Sequence, residues 1–343
     1  MALPSGLPTH TTFNDLFTLV LNHVFPGVRD NIFTHVPILA WLQKSGAVRT
    51  ITGARIQETL LYAANDTVGW IPHPGFGQID VSPPETHKMA LYDFKEIAGS
   101  FSVSFMQQAM ASGSEAIVKL GAEGVKVLEL SLRDEVWKRL WATFTGDGDT
   151  GATYYGKISD NAQDSADQIH SIPSLVRELT GGYGTVGNID ADTYTWWKNY
   201  SLDGGDWGTA ATCKANFTTA LLNIEKQGQR PTIAFSGTDA FTDIMGAAQE
   251  LQRITQPTVG AIGFQEVQFC GIPVIYDSQA PVDSTYLLNH EFVNWNILKG
   301  CDFKATDFVR PANQTAHTCL VYWIGQLTTS KRNSLGVIFG TNA

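Results

Sequence analysis

The chain has 343 residues, with 23 Lys and Arg against 33 Asp and Glu, a formal net charge of −10 at neutral pH. Charged residues make up only 16% of it and apolar residues 43%, against about 25% charged in an ordinary soluble domain. A chain of this length and composition encloses a full hydrophobic core without disulfides or a structural metal, and its acidic balance argues against electrostatic wrapping of nucleic acid or of an anionic membrane.

Residues 1 to about 48 mix short apolar clusters, including Phe13, Leu16, Phe17, Val20 and Leu21, with Pro4, Pro8, Pro26, Pro37 and Gly27, and read as an arm with one short helix. Met1–Thr12 shows no charged start leading into an apolar stretch, so a secretory signal is not expected. From Thr52 to Ala64 and from Leu91 to Phe105 the pattern is two-periodic, clearest where Phe101, Val103 and Phe105 alternate with Ser100, Ser102 and Ser104; both segments are predicted strands. Between them, Asn65–Met89 holds Pro72, Pro74, Pro83, Pro84, Gly69, Gly75 and Gly77, with Trp70 and Phe76 among them. A two-stranded ribbon is marginal in water, so this long hairpin with a Pro/Gly tip is expected to lie on another surface, that of a second subunit.

Leu120, Gly124, Leu128, Leu132, Val136, Leu140 and Phe144 recur every four residues with charges set between them, the mark of a long amphipathic helix. A capping box at Ser112 and Glu115 and a stop at Gly146 predict a span of 114–145, about 48 Å at 1.5 Å per residue. Beyond a Gly/Asp-rich loop at Gly146–Gly156 the pattern is mixed. Helices are predicted at Pro173–Leu179, Ala191–Lys198, Thr209–Lys226 and Thr238–Gln252, and strands at Thr232–Phe235, Phe264–Phe269, Pro273–Tyr276, Thr285–Leu288, Thr315–Leu327 and Gly336–Phe339. Apolar runs such as Val36–Leu42 and Cys319–Ile324 are too short to cross a bilayer.

Motifs that could carry chemistry fail on context. Gly146-Asp-Gly148-Asp-Thr-Gly151 and Gly182-Tyr-Gly184-Thr-Val-Gly187 match a dinucleotide fingerprint, but such a loop must follow a strand and open a helix, and both follow predicted helices. Gly151–Lys157 imitates a phosphate-binding loop with Ile158 where a magnesium-holding hydroxyl belongs. His290-Glu291 lacks the second histidine of a zinc helix. Cys213, Cys270, Cys301 and Cys319 are too dispersed for a zinc ribbon and read as buried free thiols. Among the nine tryptophans, Trp196-Trp197 could form a sugar-stacking platform, although packing is the commoner use of such rings. No catalytic, cofactor-binding or metal-binding residue is assigned.

The order of parts, arm, ribbon, long helix, mixed α/β region and returning strands, resembles the major capsid proteins of tailed bacteriophages. The likeness covers nearly the whole chain and is densest in Gly181-Gly182, Asn188-Ile189-Asp190, Tyr194, Trp196, Trp197 and Lys198, then Phe264, Val267, Gly271-Ile-Pro273-Val-Ile-Tyr-Asp277, Tyr286-Leu-Leu-Asn289, Pro311-Ala-Asn313-Gln314 and Gly325-Gln326-Leu327. The resemblance implies an α+β capsid fold: an N-terminal arm at 1–48, an E-loop hairpin at 49–110, a peripheral domain from 111–170 with 297–328 that includes the spine helix 114–145, and an axial domain from 171–296 with 329–343. It further implies a non-enzymatic subunit without cofactors that forms pentamers and hexamers and closes into an icosahedral head around double-stranded DNA. Scaffolding, portal and decoration proteins are the partners it implies, the virion is its place, and the host cytoplasm its site of assembly.

Trp70, Pro72, Pro74, Phe76, Phe13 and Phe17 are the expected contacts with neighbouring subunits. Some relatives join an E-loop lysine to an asparagine of the next subunit, for which Lys88 or Lys95 with Asn313 are the available residues. An encapsulin-like compartment shell is the alternative within the same fold. A secreted polysaccharide-active enzyme, using the tryptophans and paired carboxylates, is the alternative from another class.

Overall fold

The computed structural model describes residues 36–70, 82, 85–106, 114–142, 144–145, 158–159, 168–178, 183–204, 210–227, 229–250, 266–269, 271–311 and 315–340. In chain order its elements are α1 (Pro37–Lys44), β1 (Val48–Ile51), β2 (Arg55–Leu61), β3 (His87–Asp93), β4 (Lys95–Ser104), α2 (Ser114–Leu140), β5 (Phe144–Thr145), β6 (Ile158–Ser159) and α3 (Ile172–Leu175). There follow β7 (Thr185–Val186), β8 (Ile189–Asp190), a 3-10 turn (Thr195–Trp197), β9 (Tyr200–Asp203), α4 (Ala210–Gln227), β10 (Ile233–Ser236), α5 (Thr238–Glu250), β11 (Glu266–Phe269) and β12 (Ile272–Tyr276). The last are β13 (Ser284–Leu288), β14 (Val293–Leu298), β15 (Lys304–Ala305), β16 (Ala316–Thr329) and β17 (Gly336–Phe339). The chain divides into two compact units: one holds Glu96–Val136 and Gly300–Ile324, the other Val36–Lys95, Trp137–Lys299 and Gly325–Ala343.

In the first unit, β4 pairs with β16, and β15 adds to β16 antiparallel with Lys304 opposite Tyr322. The pairing is tied by Ser102 Oγ and Thr318 Oγ1 at 2.9 Å and by Phe105 N–H donating to Thr315 O at 3.1 Å. β4 alternates half-buried Ile97, Gly99, Phe101 and Val103 with exposed Glu96, Ala98, Ser100 and Ser102. Its inner face fits α2 reciprocally. The Phe101 ring occupies the space a side chain at Gly124 would fill, and Leu128 occupies the space beside Gly99. Gly124 thus belongs to the apolar stripe of the helix because an aromatic ring needs its backbone close.

The second unit is built on a six-stranded mixed sheet in the order β11-β12-β10-β13-β17-β9. β10, β13 and β17 are buried on both faces, and the hydroxyls of Ser236 and Thr285 within them pair with each other at 2.9 Å. One face carries α4 and α5, whose Cys213, Phe217, Leu221, Ile224 and Ile244 enclose a core with Ala234, Val274, Leu287 and Ile338. On the other face, the Trp141 ring lies 6.0 Å from Phe235 and 5.5 Å from Tyr286, and Trp41 of α1 lies 5.6 Å from Phe235. In the same unit β1 runs parallel to β14, and β14 pairs antiparallel with the last residues of β16, Trp295 opposite Leu327.

Several sequence expectations are corrected. The second strand of the ribbon is β3, not Leu91–Phe105: β2 and β3 pair from Arg55↔Asp93 to Leu61↔His87, while β4 pairs with β16. Each ribbon strand has seven residues, about 23 Å, shorter than the predicted segments Thr52–Ala64 and Leu91–Phe105. The long helix ends at Leu140 rather than Thr145, where the Ala142 N–H turns back to Arg139 O at 3.2 Å in a tighter closing turn. Ala191–Lys198 is a turn followed by the three-residue 3-10 segment: Asp190 accepts from Asp192 N–H at 3.0 Å and Thr193 Oγ1 at 2.6 Å, closing a local turn that competes with helix. The arm residues 1–35 lie outside the described residues.

Candidate functional site

The ribbon β2–β3 has two unlike faces, as a period of two requires. Ile56, Leu60, Ala90 and Tyr92 point inward and are buried. Arg55, Gln57, Thr59, Leu61 and, across from them, Met89 and His87 point outward. Leu61 is 72% exposed and Met89 54%. The stretch beyond leaves Val68 82% exposed and Trp70 fully so, while an Asx turn, Asn65 Oδ1 accepting from Thr67 N–H at 3.0 Å, shapes the chain before them. Arg55 closes the outer face at its root with an ion pair to Asp93 at 2.8 Å.

The inner face is seated on the ribbon's own unit, which corrects the expectation that both strands lack a surface in their own chain. The cradle is the β7–β8 hairpin and the segment after it. Leu91 N–H donates to Gly187 O at 3.0 Å, Tyr92 Oη donates to Thr329 O at 2.9 Å, and a Cβ at Gly187 would lie 2.9 Å from Ala90 Cβ and from the Tyr92 ring. Gly187 sits at φ 61°, so both conformation and space demand glycine there. Further out, Tyr62 stacks on Trp196 at 5.1 Å and 21°, and the Lys88 ammonium sits 3.1 Å from the centre of the Tyr194 ring. Lys88 is therefore engaged within its own chain; Asn313 lies outside the described residues.

Burial sets the electrostatics of the ribbon root. It pushes the Tyr92 phenol well up and the Glu58 carboxyl up, the latter opposed by Arg49 at 3.5 Å. His170 packs edge-on to Tyr92 at 5.7 Å, and burial, with Lys95 nearby, lowers its imidazole to about 4. A second buried titrating group, Asp277, accepts from Trp137 Nε1 at 3.1 Å, Trp141 Nε1 at 3.0 Å and Gln279 N–H at 3.1 Å, and burial raises it to about 6. Two indole N–H groups face its two oxygens. Arg332 is wholly buried and donates to Leu175 O at 2.7 Å and Tyr183 O at 2.8 Å.

Of the sequence-predicted contact residues, Trp70 is described and fully exposed; Pro72, Pro74, Phe76, Phe13 and Phe17 lie outside the described residues. Sequence reasoning missed Leu61, Val68 and Met89, although the alternation in β2 singles out Leu61 once the register is known. Of the chemical motifs, Gly146–Lys157 and Gly182 lie outside the described residues. Gly184 and Gly187 flank the two-residue strand β7 and open no helix, and His290-Glu291 lies in the turn before β14. Trp197 is buried, with its N–H given to Val186 O, and Trp196 is inclined to it at 59° and covered by Tyr62, so the pair presents no open platform. Among the described residues no cluster of three or more His, Cys, Asp and Glu could hold a metal, and no helix is long and apolar enough to cross a membrane.

The chain is α+β: a ribbon seated by its inner face on its own unit, a long helix packed against β4, the strand before it, and a mixed sheet with α4 and α5 on one face. A chain of the cyanophage A-1(L) capsid asymmetric unit matches with a TM-score of 0.65 and 17% identity over 98% of this chain and 99% of that one. The SrpI encapsulin of Synechococcus elongatus PCC 7942, in its holo complex, matches with 0.54 and 11% identity over 99% and 96%. The capsid chain of an empty GTA particle matches with 0.51 and 11% identity over 99% and 100%. No family model and no curated protein sequence matches the chain. The fold is that of the tailed-phage major capsid proteins.

Proposed function

We propose that this chain is the major capsid protein of a tailed phage, a non-enzymatic subunit whose copies form pentamers and hexamers that close into an icosahedral head around double-stranded DNA. The virion is its place, with scaffolding, portal and decoration proteins as partners. In this reading the arm is 1–48, the E-loop 49–110, the peripheral domain 111–170 with 297–328, and the axial domain 171–296 with 329–343. The observation that supports it most directly is the ribbon: its inner face is buried on its own unit, while Leu61 and Met89 on its outer face and Val68 and Trp70 further along the chain are exposed. Exposed apolar residues on one element seek a partner, and a contact between two unlike surfaces of identical copies repeats from copy to copy until the ring or shell closes. Pro72, Pro74 and Phe76 extend the same contact, with Phe13 and Phe17 supplying the arm's.

Electron microscopy of the overexpressed protein tests the proposal. Closed particles hundreds of ångströms across are expected from the wild type, and unassembled but folded protein from a double variant Val68→Ser, Trp70→Ser. A wild type that stays monomeric at high concentration refutes the reading. The likeness to an encapsulin favours a second reading in the same fold; particles from the natural source that hold a protein cargo and no DNA would establish it.

A further inference from the structure

The ribbon is anchored twice on its own unit. At its root the anchor is backbone and close packing: Leu91 N–H to Gly187 O, and Ala90 and Tyr92 against Gly187. At its far end it is a clasp of four side chains, Tyr62 on Trp196 and Lys88 on Tyr194, with Tyr194 itself 6.1 Å from Trp196. Trp196 keeps its Nε1 buried without a hydrogen-bond partner, so ring contacts with Tyr62, Tyr194 and Trp197 hold it rather than a hydrogen bond of the indole. Resting on the shell reading above, we propose that Lys88, Tyr194 and Trp196 are positioning residues that fix the direction in which the ribbon leaves its subunit, and thereby the angle at which copies join.

The lever is long enough to matter. Trp70 lies eight residues beyond Tyr62, past the turn at Asn65–Thr67, so its reach from the clasp is bounded by the extended length of about 26 Å. A tilt of about 10° at the clasp therefore moves Trp70 by up to about 4.5 Å, whereas a gap of only 0.5–1 Å already forfeits a quarter to a half of a packing contact. A changed rotation between copies no longer closes the same ring. A clasp that merely added stability would leave the geometry of assembly alone.

The test compares Lys88→Met, Lys88→Arg, Tyr194→Ala, Tyr194→Phe, Trp196→Ala and Trp196→Phe. Particle diameters are read by electron microscopy, and backbone hydrogen exchange is read on the unassembled subunit. Lys88→Met, Tyr194→Ala and Trp196→Ala should exchange at Tyr62 at least tenfold faster than wild type with the β10–β13 amides unchanged, and should give a broadened or shifted range of diameters. Lys88→Arg, Tyr194→Phe and Trp196→Phe keep the charge or the ring face and should restore both. Wild-type shells with unchanged diameters in all six variants overturn the proposal, and so does unchanged exchange at Tyr62. A wild type that forms no shell refutes the shell reading and the joining role, whereas the exchange measurement still decides whether the clasp holds the ribbon.

Discussion

At the scale of single residues, the second unit buries two titrating groups whose pH effects oppose one another. Asp277 is raised to about 6 from an ordinary 3.8 by burial, the two indole donors and the Gln279 N–H only partly offsetting it. Its contribution to stability is full below pH 4 and is lost as pH rises through 6, a change of about 3 kcal/mol. His170 is lowered from 6.5 to about 4 by burial and then by Lys95. Its contribution is full above pH 6.5 and is lost as pH falls toward 4, again about 3 kcal/mol. The two nearly cancel, so the unassembled wild type should show little change in unfolding free energy from pH 6.5 to 4 from these groups. Asp277→Asn removes one side of the balance. Relative to wild type, its stability should fall by about 3 kcal/mol over that interval, as read by urea unfolding under non-assembling conditions. A parallel pH course for the two proteins would show that Asp277 does not titrate there.

At the scale of elements, what the sequence reveals depends on whether a segment's partner is regular. β10, β13 and β17 each hold a short apolar stretch, Ile233–Phe235, Tyr286–Leu288 and Val337–Phe339, and α4 and α5 have a helical pattern, so burial makes them readable. β14 escapes notice because Asn294 and Asn296 are buried in it; Asn296 donates to Thr328 Oγ1 at 2.7 Å on the neighbouring strand, a match that only the register of the sheet reveals. The ribbon's second strand is misplaced for a related reason. Leu91–Phe105 alternates throughout, but its first residues share the buried face of β2 and the rest fits α2, and alternation cannot tell which partner each half takes. The clasp is invisible for the same cause, Lys88 and Tyr194 being 106 positions apart. The ribbon's two faces make a direct test. Leu60→Ala on the inner face should cost about 2–5 kcal/mol, while Leu61→Ser on the outer face should change subunit stability by no more than about 0.5 kcal/mol and still impair assembly. Chemical unfolding alongside light scattering separates the two. Equal losses of stability would mean that both faces are covered within one chain.

At the scale of the whole molecule, the excess of ten negative charges gives copies of this chain a mutual repulsion that the apolar contacts must overcome. Salt screens that repulsion, the range falling from about 30 Å at 0.01 M to about 3 Å at 1 M, and leaves apolar burial intact or strengthens it. Assembly driven by Trp70 and its neighbours should therefore become easier as sodium chloride is raised across that span, with a lower protein concentration at the onset of light scattering. A subunit gathered around nucleic acid by basic side chains would behave in the opposite way, because each phosphate contact releases a counterion and is weakened by salt. Linear duplex DNA added at 0.05 M salt is expected to leave the onset unchanged, since an acidic chain neither clamps nor condenses it. Onset at a tenfold lower protein concentration with the duplex present would reveal a basic face hidden by the average charge, and DNA would then be a participant in building the container rather than its contents.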